Sequence, residues 1–75
     1  MTDIKENILR LIGGEYVAAA LKALPDSETA TEDFQESVIE LPRLGRVRFA
    51  CQRMTGRSGK HRYKFWTAIA AVKID

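Results

Sequence analysis

GRVRFACQRMTGRSGKHRYKFW, residues 45–66, decides the fold. Polar and apolar side chains alternate along both of its arms, and two glycines sit between them. Such a stretch reads as a β-hairpin. A turn over Thr55-Gly56-Arg57-Ser58-Gly59 pairs Met54 with Lys60. Gln52 then faces Arg62, Cys51 faces Tyr63, Ala50 faces Lys64, Phe49 faces Phe65, Arg48 faces Trp66 and Val47 faces Thr67. Side chains alternate across a strand, so two faces follow. One carries Val47, Phe49, Cys51, Tyr63, Phe65 and Thr67. The other carries Arg46, Arg48, Ala50, Gln52, Arg62, Lys64 and Trp66. A slip of one residue mixes the two sets, which favours this register.

Upstream of the hairpin, Phe34-Gln35-Glu36-Ser37-Val38-Ile39-Glu40-Leu41 reads as a first strand. Pro42 suits its end, and Arg43-Leu44-Gly45 turns into the hairpin. Residues 25–33, PDSETATED, are polar and acidic and read as a connecting loop. Residues 3–24 read as an amphipathic helix, with Asp3 as N-cap and Glu6 completing a capping box. Its apolar positions are Ile4, Ile8, Leu11, Ile12, Tyr16, Val17, Ala20, Leu21 and Leu24, the spacing of one buried helical face. Pro25 ends it. Gly13-Gly14 interrupts it, at about 1 kcal/mol per glycine. The apolar phase runs through the pair, which favours one kinked helix over two short ones. A helix-turn-helix finds little support, because the second segment offers only Lys22 to a phosphate.

The order is α-β-β-β within one domain, residues 1–75. An N-terminal amphipathic helix packs on a three-stranded antiparallel meander spanning about 34–74, a two-layer α+β fold. The helix is expected to cover Val47, Phe49 and Phe65. The opposite, basic face is expected to stay open. A small open sheet also leaves edges, giving room for a homodimer through an edge strand or the helix.

The net charge of +2 conceals a division. Residues 1–40 hold three lysines and arginines against nine acids, whereas residues 41–75 hold nine against Asp75 alone. Such polarity points to an anionic partner for the second half, or to halves that neutralise each other within the fold. No apolar run approaches the roughly 18–20 residues of a membrane span, and residues 1–6 lack the pattern of a signal peptide. The single cysteine, Cys51, forms no internal disulfide, which favours a reducing, cytoplasmic setting.

The candidate binding residues are Arg46, Arg48, Arg62 and Lys64 on the basic face, Trp66 among them, and Arg57 and Lys60 at the tip. Clustered cations bind phosphate chains, arginine forks suit phosphate oxygens, and an exposed tryptophan stacks on an unpaired base. The competing structural role is an Arg48–Trp66 cation–π pair that shields the sheet. Gly56-Arg57-Ser58-Gly59-Lys60 lacks the spacing and the Ser/Thr of a Walker A loop. A GxxG joining two strands is not the KH pattern either.

Cys51 and His61 lack the third group of a nucleophilic site, and one Cys with one His closes no zinc site. Glu28, Glu32, Asp33, Glu36 and Glu40 read as solvated surface, or as a segment that folds over the basic sheet. No catalytic residue, metal or cofactor is expected. The expected function is a small, non-enzymatic nucleic-acid-binding protein. The alternative is a small inhibitor or accessory module of a nucleoprotein enzyme, docking the basic hairpin on an acidic protein surface. Phage-encoded inhibitors offer the analogy, which rests on size and charge.

Overall fold

The computed structural model describes residues 7–74. Residues 1–6 and 75 lie outside it, and with them the Asp3–Glu6 capping box. A 3-10 turn at Leu9–Leu11 precedes helix α1, Gly14–Lys22. Three strands follow: β1, Phe34–Leu41, β2, Gly45–Ser58, and β3, His61–Lys73. They form one antiparallel sheet in the order β1-β2-β3. The α-β-β-β meander expected from the sequence is therefore the architecture of the chain.

The single kinked helix is not. Gly13 adopts an extended backbone (φ −62°, ψ 148°) and serves as the N-cap of α1. Its carbonyl accepts from the amides of Tyr16 (3.0 Å) and Val17 (3.2 Å). The residues before it pack separately. Ile8 donates its amide to the Ala71 carbonyl at 2.8 Å, and Asn7 Oδ1 accepts from the amides of Leu9 and Ala71, both at 3.0 Å. The apolar phase persists through the glycines because both segments cover the same sheet face. The helix itself does not persist.

The hairpin register also differs. Ser58 pairs with His61 around a two-residue Gly59-Lys60 turn, with Gly59 at φ +63°. Left-handed backbone of this kind suits tight hairpin turns and favours glycine. Gln52 consequently faces Thr67 rather than Arg62, a shift of five residues. Five is odd, so every side chain of β3 up to Thr67 changes face. An irregularity between Ala50 and Cys51 then adds one residue to β3, and Phe49 meets Ala71. This is a β-bulge, and it returns an alanine to the core side.

The core lies between the sheet and α1. Val47, Phe49, Cys51 and Ala71 are fully buried, joined by Trp66, Leu41, Ile12 and Ala20. Ile8, Leu9, Tyr16, Val17, Leu21 and Leu24 pack around them. Tyr63 and Phe65, expected in this core, are exposed, and Trp66 takes their side of the sheet.

Candidate nucleic-acid interface

β1 pairs with β2 only as far as Gln52, whereas β2 and β3 continue together to the turn. The six pairs from Arg53–Trp66 to Ser58–His61 therefore form a two-stranded arm beyond the three-stranded body. At about 3.3 Å per residue it extends about 20 Å. The molecule is correspondingly long, 43 × 29 × 21 Å.

The base of the arm is braced by the acidic loop. Arg53 is the centre of the brace. Its Nε and Nη2 donate to Asp33 Oδ1 at 3.1 and 2.8 Å. Its Nη1 donates to the carbonyls of Ser27, at 3.2 Å, and Ala30. The guanidinium also lies 6.0 Å from the centroid of the Trp66 ring. Trp66 Nε1 in turn donates to the Pro25 carbonyl at 2.8 Å. On the outer edge of β3, the Lys64 amide donates to Glu28 Oε2 at 2.9 Å, and Ser27 Oγ donates to the Lys64 carbonyl at 2.8 Å. Loop acids thus fold back on the hairpin, but at its base and largely against backbone and Arg53.

The seven candidate side chains separate into three groups. Arg46 and Arg48 do lie on the open face of the body, but among acids. Arg46 stands opposite Glu40, and Arg48 Nε lies 3.7 Å from Glu36 Oε1. Arg57, Lys60, Arg62 and Lys64 belong to the arm. Arg57 and Arg62 stand directly opposite each other, and Lys64 shares their face. The register turns this face toward the helix side, so Arg62 and Lys64 do not join Arg46 and Arg48. Trp66 is buried on the helix side and offers no free ring to a base. The Arg48–Trp66 pair does not form, and Arg53 takes the ring instead.

The opposite face of the arm carries Met54, Tyr63 and Phe65, all substantially exposed. The sequence reading missed these residues as surface and missed Arg53 as a brace. The clue was Gly59-Lys60, a two-residue turn that gives β3 partners on β2 from His61 to Lys73, Ile69 at the bulge excepted.

Among the described residues, no ion pair forms at Arg57, Lys60, Arg62 or Lys64. Residues 54–65 contain those four cations and no acid. Cys51 is buried, and burial pushes its thiol pKa up. His61 sits at the far end of the arm, away from Cys51. No cluster of three His, Cys, Asp or Glu side chains comes together among the described residues, and no helix there is long and apolar enough to cross a membrane. No family model, curated protein or solved structure matches the chain.

Proposed function

We propose that this chain is a small, non-enzymatic nucleic-acid-binding protein whose β-ribbon arm contacts phosphates. The observation that carries the reading is Arg57 opposite Arg62, flanked by Lys60 and Lys64, with no acidic residue in the strands of the arm and Glu28 reaching only the Lys64 amide near its base. Like charges directly opposite across a strand pair destabilise it. A polyanion removes that repulsion, and counterion release adds to affinity. The arm offers cations rather than Asn or Gln side chains, which supports backbone contact over base reading.

The test is affinity for labelled nucleic acid at several salt concentrations. R57Q/R62Q weakens binding and flattens the salt slope by about 2. An unchanged affinity and slope in that variant rejects the arm as the site. Because Trp66 is buried, its emission stays constant on binding.

The alternative, docking of the hairpin on an acidic protein surface, draws support from the arm's composition. Arginine, methionine and aromatic side chains together are enriched at protein interfaces. A partner captured by the arm in place of bare nucleic acid would favour it.

A further inference from the structure

The arm has a second face, and its chemistry differs from the first. Tyr63 and Phe65 are two residues apart on β3, so their side chains project together. Their ring centroids lie 5.9 Å apart, with planes inclined by 37°. They are 39% and 41% exposed. Met54 lies beside Phe65, and Phe34, 63% exposed, begins β1 on the same side of the sheet. The acidic loop and α1 pack from the other side, and the buried cluster contains none of these four residues.

We infer that this face is a stacking platform for unpaired bases, so that the ligand of the arm is single-stranded nucleic acid. The inference rests on the reading of the arm as a phosphate-binding element. Base faces are free to stack on aromatic rings only where the strand is unpaired. Two neighbouring rings offer places to successive bases. The phosphates then run along the edge of the ribbon. Neighbouring strands are only about 4.8 Å apart, and the long stems of Arg57, Lys60 and Arg62 reach around that edge. Charge complementarity selects this occupant over a second copy of the chain. A copy stacked on the aromatic face adds four more cations to the same narrow assembly with no acidic residue in either arm to offset them, whereas a single strand brings phosphates.

The experiment compares binding of oligothymidine and of a duplex of equal length by the native chain, Y63L, F65L, Y63W and R57Q/R62Q. Circular dichroism checks the fold of each. F65L keeps an apolar partner for Met54, and Y63W keeps a ring at 63, so the series does not depend on one fragile variant. Y63L and F65L each weaken single-strand binding at least about 5-fold and leave the duplex within about 2-fold, while Y63W retains single-strand affinity. R57Q/R62Q weakens both ligands. If Y63L and F65L change neither affinity, or lower both equally, while R57Q/R62Q still weakens binding, the stacking platform is overturned and the phosphate reading stands. If the native chain binds neither ligand, the reading beneath the inference fails. If Y63L dissociates a dimer in sedimentation without changing single-strand affinity, the rings serve self-association and the platform is overturned.

Discussion

Tyr63 of β3 lies across Gly56 of β2 and occupies the space a side chain at 56 would need. The ring's distal atoms sit where a Cβ would be, so the glycine is the partner that lets the tyrosine lie down on the ribbon. Gly56 has no positive φ, unlike Gly59. Alanine at 56 is therefore opposed by the ring and not by the backbone. G56A displaces the outer end of the exposed Tyr63 ring, a flexible group, and costs only the cross-strand contact, about 0.5–1 kcal/mol. In a Y63A background the same change is neutral or stabilising, because glycine in a strand costs about 0.5–1 kcal/mol relative to alanine. A double-mutant cycle on urea unfolding measures this. A coupling below about 0.5 kcal/mol would mean that the ring does not depend on the glycine.

The brace at Arg53 makes a prediction that separates its parts. The Arg53 side chain is 12% exposed and that of Asp33 70%. An ion pair open to water on one side contributes about 0–1 kcal/mol. The carbonyls of Ser27 and Ala30 lose their guanidinium donor when the arginine goes. R53A accordingly costs about 2–3 kcal/mol, and D33N costs no more than about 1 kcal/mol. R53K recovers little, because an ammonium cannot span the same fork of acceptors. Urea midpoints for the three variants decide it. Equal losses in R53A and D33N would assign the brace to the ion pair alone.

These two contacts mark what the sequence discloses and where it misleads. Strand β1 is legible at both ends, from Phe34 and from Pro42, because a proline and an acidic loop bound an alternating run. The α-β-β-β order follows from periodicity alone. The hairpin register does not, because residues 46–67 alternate equally well around either of two turns. A five-residue turn at 55–59 sets Arg62, Lys64 and Trp66 beside Arg48. A two-residue turn at Gly59-Lys60 sets Tyr63 and Phe65 there instead. What favours the shorter turn is length: β3 then keeps partners on β2 as far as Lys73. The bulge near Ala50 and Cys51, which keeps Ala71 in the core, has no local signature in the sequence. The break at Gly13 was visible as a weak point, but continuous apolar phase argued against it.

Cys51 reports on the core through pH. Burial pushes its thiol above the ordinary value of 9.0. The unfolded chain therefore releases this proton at lower pH than the folded one. The stability tied to the neutral thiol is fully present below about pH 9 and is lost as pH rises beyond the unfolded value, by at most about 1.4 kcal/mol per pH unit. Urea midpoints measured from neutral pH to about 10.5 should fall more steeply for the native chain than for C51A. Parallel curves would show that the thiol does not contribute to the alkaline decline. The same burial makes Cys51 slow to react with a thiol reagent until the sheet opens.

Arg57 and Arg62 allow stability and binding to be set against each other. They repel across the ribbon in the free protein. R62E replaces a like-charge pair with an attractive one, and cross-strand pairs of opposite charge stabilise a sheet. The free protein should gain about 1–4 °C in Tm. Its affinity for nucleic acid should fall, and its salt slope should become shallower by at least about 1. A residue kept for packing shows the reverse, because its replacement lowers Tm. Opposite signs for the two measurements mean that the arm tolerates a strained pair in order to present charge to a partner. A lower Tm with unchanged binding would make Arg62 a structural residue and remove the observation on which the proposed function rests.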